Sequence, residues 1–308
     1  MTTTHTYRGI VWIDLESPSD TEIGGLVRRY GLHPLVGEEL KSSSSLAKID
    51  FYEEYILIVL TLPIRERDGN SYTVVDREID FVIGKNFMIT ARNDTIEQLE
   101  YFAKIFEANS ILDKDEKIEN AANLFYFMMK KIYSGMFEDL ENIRDSLTSS
   151  ETKIFSGDEL KMVKNLSNLS RELIDFRQTA RIHRDIWNEF LEYDNPNLLG
   201  KDFVPYLRDI RDQFNRVHEL IGNCRELLID LRETNDSLLN TKQNQIIKVL
   251  TLVAFIFYPL TFISALFTIP AIKVPFIGSS YGWMGILVFM VIITASIWIT
   301  FKKKKWLQ

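Results

Sequence analysis

Residues 249–269 read VLTLVAFIFYPLTFISALFTI, a run of 21 residues without a charged side chain. About 20 apolar residues in a helix are enough to cross a lipid bilayer. Before this run, apolar residues recur in alternating steps of three and four, at Leu207, Ile210, Phe214, Val217, Ile221, Cys224, Leu228 and Leu231. Such heptad spacing keeps one apolar seam facing a partner helix. The sequence therefore predicts a long stalk helix, residues 202–245, that continues into a first transmembrane helix, residues 246–269.

A second uncharged stretch follows a short connection. Residues 281–301 form the predicted second transmembrane helix, residues 270–280 an external loop, and residues 302–308 a basic tail. Lysines lie beside the predicted spans at Lys242, Lys248 and Lys302–Lys305, whereas the short loop has only Lys273. Because positive residues remain on the cytoplasmic side, both termini are predicted to be cytoplasmic. We therefore expect a multi-pass protein of the cell membrane.

The first 201 residues have the pattern of a soluble α+β domain. Short β-branched and aromatic segments predict strands at 9–16, 51–62, 72–83 and 87–91, with a turn at Arg65–Asn70 between the second and third. Helical periodicity then predicts long, charged helices at 96–108, 115–147 and 151–193, whose charged faces are expected to be solvated. The fold class is thus a mixed sheet with helices, followed by a stalk helix and two spans.

Charge and residue types exclude several classes of function. Residues 241–308 contain seven lysines and no acid, so residues 1–240 carry 36 − 7 = 29 basic against 43 acidic groups. This acidic balance argues against a nucleic-acid partner, which needs clustered Lys and Arg, and it suits a surface facing cations. Neither a catalytic site, a thiolate metal site nor an organic cofactor is predicted, because Cys224 is alone and the histidines are scattered at His5, His33, His183 and His218. His218 is expected to make a polar contact between helices.

Two membrane helices cannot enclose an ion pathway, and an apolar stalk seam needs copies of itself to pack against. A homo-oligomer with the first span around its axis meets both needs, because symmetry turns each inward residue into a ring. The predicted pore-lining stripe is Asn244, Ile247, Leu250, Thr251, Ala254, Tyr258, Thr261, Ala265 and Thr268. The alternative is that the threonines only bond backbone carbonyls one turn back.

Several segments resemble the CorA family of divalent-cation transporters. They are 249–264 (VLTLVAFIFYPLTFIS), 301–307 (FKKKKWL), 33–35 (HPL), 55–60 (YILIVL) and 205–209 (PYLRD). The resemblance spans nearly the whole chain. It implies a homopentamer with an αβα cytoplasmic domain, a funnel of stalk helices and a pore lined by the first span. It also implies Mg²⁺ as cargo, often with Co²⁺ or Ni²⁺, and Mg²⁺ between subunits as a regulator that favours the closed state.

The resemblance assigns roles to individual residues. Asp209 is similar to an acidic residue of the family's regulatory cation site, and its partner from a neighbouring subunit is expected at Glu66 or Asp68. The alternative is that Asp209, Asp212 and Glu66 are ordinary solvated charges. Lys302, Lys303, Lys304 and Lys305 resemble the family's basic collar, and they also suit an anchor at anionic headgroups. Family pore positions correspond to Asn244, Leu250, Tyr258, Thr261 and Ala265, where Tyr258 replaces a methionine and Ala265 a glycine.

The outer end of the first span departs from the family pattern. The family has Gly-Met-Asn there, whereas this chain has Thr268-Ile269-Pro270. The outer mouth is assigned to Ile269, Pro270 and Lys273, where the family loop is usually acidic. Three hypotheses follow: a pentameric channel for divalent cations, most simply Mg²⁺; the same pore with altered selectivity for Zn²⁺, a monovalent or another ion; and a non-conducting membrane scaffold or sensor.

Overall fold

The computed structural model describes residues 2–41, 47–69, 71–112, 118–193, 195–200, 202–268 and 282–303. The chain divides into two compact units, Met1–Asn235 and Asp236–Gln308. Each unit is considered separately below. The first holds the sheet and most of the helices, and the second holds the two apolar stretches.

The first unit is built on a six-stranded mixed sheet in the order β1-β2-β6-β5-β4-β3. The strands are β1 (Thr2–Tyr7), β2 (Ile10–Glu16), β3 (Lys48–Phe51), β4 (Tyr55–Asp68), β5 (Ser71–Gly84) and β6 (Phe87–Arg92). Only β2 and β6 pair in parallel; the other neighbours are antiparallel. The two edge strands, β1 and β3, were not predicted, because TTTHTY and KIDF carry too few apolar residues to give a strand pattern.

The hairpin of β4 and β5 is longer than its sequence suggests. The strands pair from Tyr55 opposite Gly84 to Asp68 opposite Ser71, so the predicted turn at Arg65–Asn70 is wrong for Arg65 to Asp68. The charged residues there remain in a strand because part of the hairpin is covered by a helix. The side chain of Arg65 is only 6% exposed, and its Nε lies 2.8 Å from Oε2 of Glu172.

Helices cover both faces of the sheet. On one face lie α1 (Asp20–Tyr30), which begins with a capping box between Ser19 and Glu22, and α2 (Pro34–Glu39). Their apolar side chains join those of alternate strand residues in one core, Ile23, Leu26, Val36, Leu40, Leu57, Val59, Val82 and Ile89 among them. Because side chains alternate along a strand, Trp12 and Phe81 point to the other face. There they contact Phe102 and Phe125, so the unit has three layers, as predicted.

The helices of that second layer are α3 (Glu97–Leu112), α4 (Ala121–Phe155), α5 (Glu159–Ala180) and α6 (His183–Glu192), followed by the short α7 (Pro196–Leu199). The single helix predicted at 151–193 is wrong, because the chain turns between α4 and α5. Gly157 has a φ of 103°, a conformation that glycine adopts without the strain of a side chain. The expectation that the charged faces are solvated also fails for Glu159 and Glu172, which are 4% and 5% exposed.

Two further helices contain the predicted stalk and spans. Helix α8 (Val204–Thr268) has 65 residues and continues through Pro259, and α9 (Gly282–Lys303) has 22. Each contains a window long and apolar enough to cross a membrane. The predicted loop at 270–280 lies outside the described residues.

The apolar seam of α8 is covered by its own chain. All eight seam residues, from Leu207 to Leu231, are at most 4% exposed in the single chain. The Phe214 ring lies 6.0 Å from the Tyr133 ring of α4 and 5.9 Å from the His183 ring of α6. The prediction that this seam packs against copies of itself is therefore wrong. Heptad spacing indicates that a face is covered, but it does not say by which helix.

Candidate ion pathway and regulatory cation site

The stripe predicted to line a pore runs along one side of α8. At about 100° per residue, its nine positions from Asn244 to Thr268 fall within about 120° of arc. All of them are exposed in the single chain except half-buried Ala254. Exposure alone does not distinguish this side, since Val249 and Val253, on the other side of the helix, are 58% and 45% exposed.

Polarity distinguishes the stripe. The polar side chains between Val249 and Thr268 are Thr251, Tyr258, Thr261, Ser264 and Thr268. Four of these belong to the stripe, and Ser264 lies beside Thr261 and Thr268 at helical spacing. The rest of this surface is apolar, which suits contact with lipid. In a membrane this side of α8 is the one best suited to face water or another polar surface.

The stripe threonines bond their own backbone. The hydroxyls of Thr251, Thr261 and Thr268 donate to the carbonyls of Ile247, Phe257 and Ser264 at 2.8, 2.9 and 3.1 Å. The backbone hydrogen bonds of the stated alternative are thus present, but they do not exclude a second role. A hydroxyl that donates its proton to the backbone keeps its oxygen lone pairs available. Those oxygens can accept hydrogen bonds from water.

Tyr258 is the largest side chain on the stripe and is 76% exposed. Its neighbours one turn away on the same side are Ala254 and Thr261, which are much smaller. Pro259 follows immediately inside the helix. Proline has no N–H, so the carbonyl of Phe255 lacks its usual helical donor.

The basic collar is described in part. Lys302 and Lys303 form the last turn of α9, where positive charge complements the helix dipole. The Lys302 Nζ lies 5.2 Å from the centre of the Trp298 ring, and Phe301 contacts Phe255 of α8 at 6.1 Å between ring centres. Lys304 and Lys305 lie outside the described residues, and so do the predicted outer-mouth residues Ile269, Pro270 and Lys273.

Asp209 lies on α8 in the first unit, opposite α4. Its Oδ2 accepts hydrogen bonds from the Tyr126 hydroxyl at 2.8 Å and from Nε2 of Gln213 at 2.7 Å. It also lines a cavity of about 360 Å³, together with Lys130, Tyr133, Ser134, Phe137, Gln213, Arg216 and Val217. The two cationic side chains there oppose binding of a metal ion by Asp209 alone.

Of the two hairpin residues, Glu66 is not brought to Asp209 within one chain. Glu66 forms an ion pair with Arg77 at 2.8 Å, and it does not line the Asp209 cavity. The side chain of Asp68 lies outside the described ones. Among the residues that the structure describes, no group of three or more His, Cys, Asp or Glu side chains can hold a metal ion. A cation site at Asp209 that draws on a neighbouring subunit therefore stays a prediction.

A charged cluster between the hairpin and α4 was missed by the sequence reasoning. Arg65 pairs with Glu172 and lies 3.8 Å above the Tyr72 ring. Burial raises the pKa of Asp139 to about 6, although nearby Arg65 lowers it. These residues are far apart in sequence, and no local pattern signals their contact. A polar cavity of about 570 Å³ lies beside them.

Two histidines have structural surroundings. The ring of His183 bonds the Tyr133 hydroxyl at 3.0 Å through Nδ1 and the Thr61 carbonyl at 2.9 Å through Nε2. Burial lowers the pKa of His183 to about 4, so this network holds the neutral ring. His218 stacks on Phe214, but its buried Nδ1 has no hydrogen-bond partner in the described part of the chain. The polar contact between helices expected of His218 is therefore not made through Nδ1.

Comparison with known proteins identifies the family to which this architecture belongs. The sequence matches the family described as CorA-like Mg²⁺ transporter protein over residues 7–303. This chain belongs to that family. The family recognised in the sequence is therefore confirmed, and the CorA-like chain is a membrane protein of a transporter family.

Individual relatives agree with this assignment. The cobalt/magnesium transport protein CorA of Thermotoga maritima is 27% identical over 297 residues, covering 96% of this CorA-like chain and 83% of that protein. The complete structure of the CorA magnesium transporter from Methanocaldococcus jannaschii has a TM-score of 0.82 at 20% identity, covering 97% and 92% of the two chains. The full-length CmaX protein has a TM-score of 0.72 at 16% identity, with 96% and 89% covered. The predicted fold class is confirmed by these likenesses.

Proposed function

We propose that this CorA-like chain is one subunit of a homopentameric channel that moves divalent cations, most readily Mg²⁺, across the cell membrane. The observation that carries the proposal is membership of the CorA-like Mg²⁺ transporter family over residues 7–303. The polar stripe on the membrane-spanning part of α8 supports it, because a pathway for ions needs polar rings at membrane depth. In this proposal both termini are cytoplasmic.

The proposed pathway alternates polar and apolar rings. The oxygens of Thr251, Thr261 and Thr268 accept hydrogen bonds from the water around a hydrated cation. Mg²⁺ releases its water reluctantly, so rings that bind the hydration shell suit it better than a cage of direct ligands. Leu250 lines an apolar section that closes by dewetting, and Tyr258 forms the narrowest ring.

Regulation is proposed to act at Asp209. In the assembled protein, Mg²⁺ bridges Asp209 and Glu66 or Asp68 of adjacent subunits and stabilises the closed state. The hydrogen bonds from Tyr126 and Gln213 to Oδ2 support this role because they fix the carboxylate and leave Oδ1 to face a cation. A partner's acid is also needed to offset Lys130 and Arg216 in the same cavity.

A second candidate keeps the pore and changes the ion. It is favoured by the sequence Thr268-Ile269-Pro270 at the outer end and by Lys273 in the following loop. Five copies of Lys273 around the mouth repel cations, although salt screens charges beyond about 8 Å. Zn²⁺, monovalent ions and other ions are therefore tested as cargo beside Mg²⁺. A pore blocked at Tyr258, which leaves a scaffold or sensor, is the non-conducting outcome of the same test.

The test is Mg²⁺ uptake by liposomes that contain the purified protein and a Mg²⁺-sensitive dye. We expect uptake well above that of protein-free liposomes, and we expect Thr261→Val to change its rate because the substitution removes a pore hydroxyl and keeps the side-chain shape. The matched control is Thr294→Val on α9, whose hydroxyl also donates to a backbone carbonyl, that of Met290 at 2.9 Å. Correctly assembled protein that passes no ion would contradict the transport proposal. Equal effects of both variants would contradict the role of Thr261.

A further inference from the structure

A carboxylate of β5 faces the core between the sheet and α2. Asp80 is 4% exposed and lies between Val59 of β4 and Ala91 of β6 in the paired strands. Residues directly opposite each other in a sheet share a face, and Val59 and Ala91 belong to the core that also contains Leu40. A charged carboxylate in such a place is costly unless it is paired.

Three buried polar atoms belong to side chains that line one small cavity beside Asp80. They are Oδ1 of Asp80, Oε1 of Glu39 and Nε of Arg92, and none has a hydrogen-bond partner among the described residues. The cavity has a volume of about 10 Å³, which is near the lower limit of roughly 10–15 Å³ for one water molecule. Buried polar groups without a partner are rare in proteins and require an explanation.

The other atoms of two of these side chains are already engaged. Oε2 of Glu39 lies 2.9 Å from Nζ of Lys48. The guanidinium nitrogens of Arg92 lie 3.2 Å from carboxylate oxygens of Asp14 and Glu16. Glu39 and Arg92 are thus held in place, and neither has a spare ion-pairing partner to offer Asp80.

Taken together, the strands and the helix around Asp80 carry more acidic than basic groups. The acids are Glu39 of α2, Asp14 and Glu16 of β2, Asp50 of β3, and Glu78 with Asp80 itself on β5; the bases are Lys48 of β3 and Arg92 of β6. A metal ion is disfavoured, because the Arg92 N–H faces the cavity and a donor repels a cation. A proton is the remaining species that lowers the negative charge and also supplies a donor.

We propose that Asp80 holds a proton beside Glu39 and forms a pH-sensitive latch between α2 and the sheet. With the proton bound, the Asp80 carboxyl donates to Oε1 of Glu39, directly or through one water molecule that also accepts from Arg92. When the proton leaves, a buried negative charge on Asp80 faces Glu39 across the cavity and α2 detaches more readily from the core. The apolar contacts of Val36 and Leu40, which are 0% and 3% exposed, are lost with it.

The direction of the pH effect follows from the environment. Burial raises the pKa of Asp80 to about 8, and Glu78 and Glu39 raise it further while Lys48 lowers it. A group whose pKa is raised by folding contributes stability that is fully present below its pKa in the unfolded chain and is lost as the pH rises through its folded pKa. From pH 7 to pH 9, opening that exposes Asp80 should therefore become about tenfold more frequent.

The test is hydrogen exchange of α2, measured by mass spectrometry on the full chain from pH 7 to pH 9 and corrected for the intrinsic pH dependence of exchange. We expect about a tenfold loss of protection in α2, with α4 unchanged as an internal reference. Asp80→Asn keeps the shape, has no charge to gain, and should make α2 protection independent of pH. An unchanged pH response in Asp80→Asn, or no response in the natural sequence, overturns the proposal.

A second pair of variants keeps the test decisive if Asp80→Asn does not fold. Glu39→Gln removes a negative charge that raises the pKa of Asp80, so it should move the loss of α2 protection to lower pH. The matched control is Glu38→Gln on the same helix, since the side chain of Glu38 is 72% exposed and pairs with Lys41. The latch is contradicted if Glu39→Gln does not move the pH midpoint for the loss of α2 protection. It is also contradicted if Glu39→Gln and Glu38→Gln move that midpoint equally.

Discussion

Because the α8 seam is buried in its own chain, the loss of stability on truncating a seam residue can be predicted. Phe214 is 0% exposed and contacts the rings of Tyr133, His183 and His218. Replacing a buried phenylalanine by alanine costs about 3–5 kcal/mol, from lost apolar burial and from the cavity that remains. Phe214→Ala should therefore lower the stability of the first unit by about this amount while leaving the oligomer assembled.

The assay is urea unfolding of the purified protein, followed by the fluorescence of Trp12 and Trp187, which are 0% and 1% exposed. Because the seam is intramolecular, the lowered midpoint should not depend on protein concentration. Phe257→Ala is the matched control, since Phe257 is 61% exposed in the second unit and the change should leave this transition in place. An unchanged midpoint together with dissociation into single chains would refute the reasoning, because it would place the partner of Phe214 on another subunit.

Three further predictions concern buried charge, pH and regulation. Arg65→Met should destabilise the first unit by about 3–5 kcal/mol because it leaves Glu172 buried without its partner, and adding Glu172→Leu should restore most of the loss in the same urea assay. Because burial lowers the pKa of His183 to about 4, the unfolded chain binds a proton more readily. The first unit should lose up to about 3 kcal/mol as pH falls from 6.5 to 4, and thermal unfolding should show a weaker loss in His183→Gln; an identical loss would contradict this. Asp209→Asn should raise the Mg²⁺ concentration needed to inhibit flux, and Asp212→Asn should not; equal shifts would remove Asp209 from the regulatory site.

Much of the fold could be predicted because its signals are local. The uncharged run at 249–269, the helical periodicity after residue 95 and the β-branched segments around Tyr55–Leu60 each indicate an element without reference to the rest of the chain. The edge strand β1 was not predicted from its local sequence because TTTHTY has few apolar residues. It forms a strand because His5 stacks on Trp12 at 4.7 Å in the buried sheet.

Contacts between distant segments of the chain could not be predicted in the same way. The heptad spacing from Leu207 to Leu231 predicted a covered face correctly, but it did not identify α4 and α6 as the cover. The same limit applies to Glu172 and Asp80, which look like ordinary surface charges in sequence and are 5% and 4% exposed. Burial of a charge depends on contacts between distant segments, such as Arg65 with Glu172. The assignment of Asp209 rests on family resemblance and was beyond local reasoning.

The central claim is that the polar side of α8 faces water inside the membrane. It is tested most directly by single cysteines in a Cys224→Ala background, treated with a water-soluble thiol reagent after reconstitution into liposomes. Thr261→Cys should react and its modification should change Mg²⁺ flux, whereas Ile263→Cys, two residues away on the opposite, apolar side of the helix, should not react. Reaction at position 263 without reaction at 261, or equal reaction at both, would contradict an aqueous pathway along this stripe.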